Sequence, residues 1–223
     1  MIYIENKRRK IDRIQAQYPG ADILDITSAS TAKYAQMLSP FYPHGGIPIP
    51  LESNGLKASC VEGIWQGLKV FDSEDVNFES FKNTTMKGLK RTVRTLGAPK
   101  GHRSGAFGKE LLGYFDARMK IYLPSYLWVL ENVPAVKEIV QRIAERAKVN
   151  DIVFLDYNTN IDFRDTSSPL SHEGLVKLYI EGNYPKEGEV YTPLTAEEIT
   201  EKKASKKKEC KKKVQQLTLF GNE

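Results

Sequence analysis

Proline and glycine interrupt the chain repeatedly between residues 39 and 55, in the run SPFYPHGGIPIP and the turn that follows it. Proline lacks a backbone N–H and glycine weakens helices and strands, so this segment does not continue a regular element. It separates two regions with different patterns. Before it, residues 1–5 and 22–27 are patterned as strands and residues 7–17 as a basic helix, a start similar to a βαβ unit.

Helical patterns dominate the rest of the chain. Apolar spacing and helix start and stop residues predict helices at 60–72, 78–96, 107–118, 122–132, 134–148 and 173–181, with one strand at 151–155. Because helices outnumber strands, we expect an α+β fold, a mostly helical single domain with a small sheet. This domain would span residues 1–182, followed by a linker and lysine-rich segment at 183–213 and a terminal peptide at 214–223.

Charge is distributed unevenly along the 223 residues. Residues 1–200 contain 25 Lys/Arg and 25 Asp/Glu, whereas residues 201–223 contain 8 Lys and 3 Glu and carry the whole net charge of +5. No segment is apolar enough to predict a signal peptide or a membrane span, so we expect a cytoplasmic protein with no membrane partner.

The run SCVEGIWQGLK at residues 59–69 combines charge and aromaticity on one predicted helix. At 3.6 residues per turn, Glu62, Gln66 and Lys69 lie along one stripe with Trp65 beside them. A carboxylate, an amide and an ammonium group on one stripe indicate a site. The spacing Ser59-x-x-Glu62 equally fits a capping box, in which the glutamate bonds back to the helix start. Both interpretations remain open.

These residues, with LSPFYP at 38–43, resemble the NADAR superfamily, whose members read "FS-x-F-(Y/A)-P" followed by "E-H-x-x-Q-x-x-K". The resemblance covers residues 36–182 and implies an N-glycosidase that cleaves a ribose C1–N bond in a ribosylated or modified base, for example ADP-ribosylated guanine in DNA. It makes Glu62 the catalytic carboxylate, oriented by Lys69 or Gln66. The chain departs from the family at Gly63, where many members have His. It also lacks the tryptophan signatures of the family's pocket, for which Tyr114 or Tyr122 are the stand-ins.

A second carboxylate is expected from the segment LDYNTNIDFRD at 155–165. Asp162 and Asp165 are the main candidates and Asp156 a third, because an oxocarbenium-like transition state favours carboxylates near C1. The alternative is an ordinary turn, since Asp and Asn side chains bond their own backbone. The spacing does not fit a calcium loop. Cys60 and Cys210 are far apart with no clustered His, so we predict no metal and no cofactor.

Residues 80–109 hold eight Lys/Arg and no acid, around a glycine-rich turn at 97–105. This pattern indicates either a phosphate-binding surface, for a nucleotide or DNA, or a plain basic face. His44 and His102 are ligand contacts or ordinary hydrogen-bonding residues, and a general acid is a further alternative for His102, because the unperturbed pKa of histidine lies nearest neutrality. The residues predicted to contact substrate are Tyr42, His44, Trp65, Gln66, Lys90, Arg91, His102, Arg103, Tyr114 and Tyr122.

The C-terminus reads QLTLF at 216–220, after a lysine-rich run. It resembles the peptide that binds the bacterial sliding clamp, with Gln216 at the rim and Leu217, Leu219 and Phe220 in an apolar pocket. The alternative is a terminal strand packed on its own domain. Two functions remain: an N-glycosidase-like hydrolase brought to DNA by the clamp, or a non-catalytic clamp-associated DNA-binding accessory protein.

Overall fold

The centre of the fold is a parallel sheet in which a late strand lies between two early ones. The computed structural model describes residues 1–186 and 188–205, and the strands found there are β1 (Ile2–Asn6), β2 (Asp22–Asp25), β3 (Ile47–Pro48), β4 (Lys57–Ala58), β5 (Lys69–Val70), β6 (Gly101–Arg103), β7 (Leu111–Leu112) and β8 (Ile152–Asp156). The sheet order is β1-β8-β2. All of β8 is buried, as expected for a central parallel strand.

Helices cover this sheet and fill most of the domain. They are α1 (Ile11–Gln17), α2 (Lys33–Gln36), α3 (Val61–Gly67), α4 (Phe78–Lys82), α5 (Val93–Leu96), α6 (Tyr114–Ala117), α7 (Leu123–Asn132), α8 (Pro134–Val149) and α9 (His172–Ile180), and residues 196–205 are also helical. A π-helical turn, Arg118–Tyr122, joins α6 to α7. The predicted α+β fold is thus confirmed.

Two small antiparallel sheets hold the proline- and glycine-rich segment and the end of α3. Strand β3 pairs with β4, and β6 lies between β5 and β7. The buried Tyr126 of α7 donates its hydroxyl to the carbonyl of Leu38, 2.6 Å away. Together these contacts fix the position of residues 38–58 against the helical core.

Two of the predicted helices are wrong. Residues 78–96 form α4 and α5 with an irregular stretch between them, where Met86 and Gly88 have φ angles of 58° and 69°. Left-handed backbone at both positions is incompatible with one continuous helix. Residues 107–118 include β7, which pairs with β6, so only α6 is helical before the π turn.

The segment after α9 contacts the domain. The half-buried Tyr184 donates its hydroxyl to the carbonyl of Leu123 at 2.9 Å, and Lys202 forms an ion pair with Asp162. Thr195 and Glu198 form a capping box at the start of the helix at 196–205: the Thr195 N–H donates to Glu198 Oε2 at 2.7 Å, and the Glu198 N–H donates to Thr195 Oγ1 at 3.2 Å. In the part of the chain that the structure describes, no helix is long and apolar enough to cross a bilayer.

Candidate functional site

A cavity of about 440 Å³ opens where α3, the π turn and the carboxyl ends of β2 and β8 meet. Ligands in parallel α/β sheets bind beside these strand ends, so the position agrees with a general rule of such folds. Its walls are formed by Thr27, Ser28, Pro40, Phe41, Glu62, Trp65, Gln66, Lys69, Lys90, Tyr114, Arg118, Tyr122, Asp156, Tyr157, Pro169, Leu170 and His172.

A larger cavity, about 710 Å³, lies between α7 and residues 184–186 and 188–191. Its lining is richer in apolar side chains, including Trp128, Leu127 and Pro185, and it contains none of the residues predicted to act on substrate. The larger cavity is therefore not the one that the predicted reactive residues line. We take the smaller cavity as the candidate site because carboxylates, cations and aromatic rings converge there.

Glu62, Gln66 and Lys69 form a hydrogen-bonded chain along one wall. Gln66 Nε2 donates to Glu62 Oε1 at 2.7 Å, and Lys69 Nζ donates to Gln66 Oε1 at 3.0 Å. The Glu62 side chain is buried. The predicted helical stripe holds for Glu62 and Gln66, but α3 ends at Gly67 and Lys69 begins β5, so the predicted helix over 60–72 is too long. Burial raises the pKa of Glu62 above its usual range, against the lowering effects of Gln66 and Lys69. Burial also lowers the pKa of Lys69.

Glu62 does not close a capping box on Ser59. The Ser59 N–H donates to the carbonyl of Phe81 at 2.7 Å, and the N-cap residue is Cys60, whose Sγ accepts from the Gly63 N–H. The backbone N–H of Glu62 donates to the carbonyl of Pro40 at 2.8 Å. The helix start is therefore tied to the proline-rich segment by its backbone, and the Glu62 carboxylate faces the cavity.

Aromatic rings form a second wall. Trp65 meets Tyr114 and Tyr122 edge to face, with ring centroids 5.8 and 5.6 Å away. Behind it, His102 packs against Trp65 with centroids 3.9 Å apart. Burial lowers the pKa of His102 to about 3, so this imidazole is neutral, and it does not line the cavity. Its position supports Trp65 rather than contacting a ligand.

The second carboxylate in the cavity is Asp156, at the end of β8. Asp162 and Asp165 do not line this cavity. Asp162 accepts from the Arg164 N–H and pairs with Lys202, while Asp165 accepts from the hydroxyl and N–H of Ser167. These contacts match the turn alternative. Asp156 is the last residue of a buried strand, and that is the sequence signal that distinguishes it from the other two.

The basic residues separate into two groups. Lys69 and Lys90 line the cavity. Arg91 instead donates to the carbonyls of Gln66 and Lys69, and Arg103 is paired with Asp75. Neither arginine reaches the cavity, so their guanidinium groups hold the end of α3 and the loop after β5 in place.

The remaining predicted contacts lie outside the cavity. Tyr42 packs against His44 with ring centroids 4.8 Å apart, and His44 Nε2 lies 2.9 Å from the carbonyl of Met37. Phe41, the residue before Tyr42, lines the cavity instead. The predicted clamp-binding residues, Gln216, Leu217, Leu219 and Phe220, fall outside the described residues.

Several lining residues were not predicted. Arg118 lies in the π turn and donates to the carbonyls of Phe163, Asp165 and Ser168, so it fixes the loop after β8. Single π turns inside α-helices are frequent at functional sites, but the sequence around Arg118 carries no marker of one. The other unpredicted polar or aromatic residues are Thr27, Ser28, Phe41, Tyr157 and His172. Thr27 and Ser28 follow β2 at the same sheet edge as Asp156. The rule that ligands bind beside the carboxyl ends of parallel strands could therefore have identified them.

The candidate site also contains a group of possible metal ligands. One donor atom each from Asp156, His172 and Glu173 lies within 4.8 Å of the others. Asp156 and His172 line the cavity, and Glu173 is fully buried beneath them.

A family model matches residues 6–176, and its description is a family of unknown function (DUF6939). Since the match covers most of the chain, the protein belongs to this family. No curated protein matches the sequence.

Proposed function

We propose that this DUF6939 protein is an N-glycosidase-like hydrolase that cleaves the bond between ribose C1 and a base nitrogen in a ribosylated or modified nucleobase. The observation that carries the proposal is the Glu62 carboxylate, which is buried, faces a cavity of about 440 Å³ and is hydrogen-bonded by a side chain rather than by its own helix start. A NADAR-like substrate, such as ADP-ribosylated guanine in DNA, is part of this proposal.

The chemistry expected at this site begins with partial breakage of the C1–N bond, which leaves positive charge on the sugar. Glu62 and Asp156 place two carboxylates on the lining of the cavity, where they stabilise that charge. Glu62 accepts one proton from water as the water oxygen bonds to C1. The departing base keeps the electron pair of the C1–N bond and receives the proton from Glu62. The carboxylate is then restored, and the net reaction is hydrolysis.

Other residues of the cavity would bind the substrate or orient Glu62. Trp65, Tyr114 and Tyr122 offer apolar ring surface for a base or ribose, and such surfaces bind bases through stacking. Lys90 and Lys69 provide positive charge for a phosphate. Gln66 holds the carboxylate of Glu62 in one orientation, because it bonds Glu62 through its amide nitrogen and Lys69 through its amide oxygen.

The test compares Glu62→Gln with Glu79→Gln, an exposed glutamate that pairs with Lys82 on α4. Each purified full-length variant is incubated with DNA carrying ADP-ribosylated guanine and, separately, with ribosylated nucleotides, and released base or ribose is measured by chromatography. We expect Glu62→Gln to lose about 10²–10⁴-fold in rate, the usual contribution of a general base. Glu79→Gln should keep the wild-type rate.

Two results would contradict the proposal. Equal rates for Glu62→Gln and wild type would remove Glu62 from catalysis. Wild-type protein that retains DNA but releases nothing from either substrate would favour the non-catalytic accessory protein.

Recruitment by a sliding clamp is a separate part of the proposal and is based on the QLTLF sequence at 216–220. Its test is binding of the full chain to immobilised bacterial clamp, compared with a Leu219→Ala, Phe220→Ala double variant. We expect the double variant to lose clamp binding while base release from free nucleotides stays unchanged. Equal retention of both proteins would eliminate the clamp interaction without affecting the hydrolase proposal.

A further inference from the structure

We propose that Asp156, His172 and Glu173 bind one divalent transition-metal ion at the base of the candidate site. One nitrogen and two carboxylates form a ligand set suited to ions such as Mn²⁺ or Zn²⁺. A metal site cannot be recognised from the spacing of these residues along the chain, because Asp156 ends β8 whereas His172 and Glu173 begin α9. Folding brings their donor atoms within 4.8 Å of one another.

The contacts of His172 prepare one ring nitrogen for a metal. Its Nε2 lies 3.2 Å from the backbone carbonyl of Ile26, which only accepts hydrogen bonds, so Nε2 carries the proton. Nδ1 of the neutral ring then presents a lone pair toward Glu173 Oε2, 3.0 Å away. Metal-binding histidines are typically held in this way, with the second nitrogen donating to a carbonyl.

Glu173 lacks the donors that a buried carboxylate needs, whereas Asp156 accepts the Asn158 N–H at 3.3 Å. Glu173 is 0% exposed, and its Oε1 has no hydrogen-bond partner. Its Oε2 receives only the Ser171 hydroxyl, at 3.3 Å, beside the imidazole of His172. Within residues 1–186 and 188–205, no lysine or arginine pairs with Asp156 or Glu173. A buried carboxylate without compensation is costly, and a cation shared by the three groups would provide it.

The cavity gives the ion a route to its ligands. Asp156 and His172 line the open space, while Glu173 lies behind them. An ion at this position would therefore have protein ligands on one side and water or substrate on the other, the arrangement of an open metal site. This inference does not depend on the proposed hydrolysis, since it follows from the three ligands alone.

The test measures metal binding without substrate. Full-length protein stripped with EDTA is titrated with MnCl₂, and unbound Mn²⁺ is followed by electron paramagnetic resonance. ZnCl₂ is added to displace it. We expect one Mn²⁺ per chain, released by Zn²⁺, and an affinity at least about tenfold weaker in Glu173→Gln. The control Asp162→Asn removes a carboxylate whose partners lie outside the cluster and should bind like wild type.

The titration of wild-type protein tests for the metal site even if Glu173→Gln fails to fold. Asp156→Asn provides a second variant that lacks one proposed ligand. Absence of binding by wild type at millimolar Mn²⁺ would overturn the proposal. So would binding that neither ligand variant weakens. A proton shared between Asp156 and Glu173 is the competing account. It predicts no retained ion and a higher melting temperature for Glu173→Gln, with base release unaffected by EDTA.

Discussion

Arg91 provides the sharpest test of which basic residues maintain the fold. Its guanidinium donates to the carbonyls of Gln66 and Lys69, just where α3 ends and β5 begins, and its side chain is only 7% exposed. Replacement by methionine keeps the apolar stem and removes these two hydrogen bonds, together with those to the Glu74 carboxylate and the Asp75 carbonyl. Hydrogen bonds from charged groups contribute about 1.5–3 kcal/mol each. Because water partly replaces the lost donors, we expect Arg91→Met to lower the free energy of unfolding by roughly 3 kcal/mol.

The assay is urea unfolding followed by tryptophan fluorescence, with Arg94→Met as the matched control. Arg94 lies on α5, is exposed, and makes no hydrogen bond or ion pair among the described residues. We expect a lower urea midpoint for Arg91→Met with an unchanged slope, and no shift for Arg94→Met. Equal midpoints for the two variants would refute the structural role and return Arg91 to the set of phosphate-binding candidates.

Two further predictions concern α3. Since burial raises the pKa of Glu62, the folded state binds a proton more tightly than the unfolded state, and this glutamate's contribution to stability falls as pH rises from about 4 through its raised pKa. Glu62→Gln should therefore gain stability relative to wild type over that interval, as measured by urea unfolding at several pH values, and a constant difference would show that the pKa is not raised. Gly67→Ala would place a Cβ 2.2 Å from Cε1 of the buried Phe81. We expect a loss of about 1–3 kcal/mol in thermal or urea unfolding, against little change for Gly113→Ala, which has open space around it. Equal stability of the two alanine variants would mean that the ring moves aside.

The capping-box pattern Ser/Thr-x-x-Glu occurs at two places in the chain, but only one of them forms the capping-box hydrogen bonds. Thr195 and Glu198 form the reciprocal hydrogen bonds of a capping box, whereas Ser59 and Glu62 do not. The difference is tertiary, because the Ser59 N–H is already bonded to the carbonyl of Phe81. Local sequence predicts which bonds a helix start is able to form, but distant backbone determines which partners remain free.

The fold class and the placement of Glu62 and Gln66 on one face of α3 were predictable, because helix periodicity and proline breaks are local properties. The end of α3 at Gly67 and the position of Lys69 in β5 were not predicted, because they depend on the pairing of β5 with β6. The choice among three aspartates was not made from sequence. Asp156 lines the cavity because β8 ends beside β2, while Asp162 and Asp165 satisfy the turn that follows. Likewise, His172 joins Asp156 only through the packing of α9 on the sheet. Such convergence depends on contacts between segments that are far apart in the chain.

The position of β8 between β1 and β2 also has a consequence for synthesis on the ribosome. A nascent chain shorter than 152 residues holds β1 and β2 without the strand that joins them. Both strands then present unpaired backbone groups to other polypeptides, which favours aggregation. Chaperone protection of β1 and β2 should therefore matter for the yield of this protein until β8 has been synthesised and can pair with both.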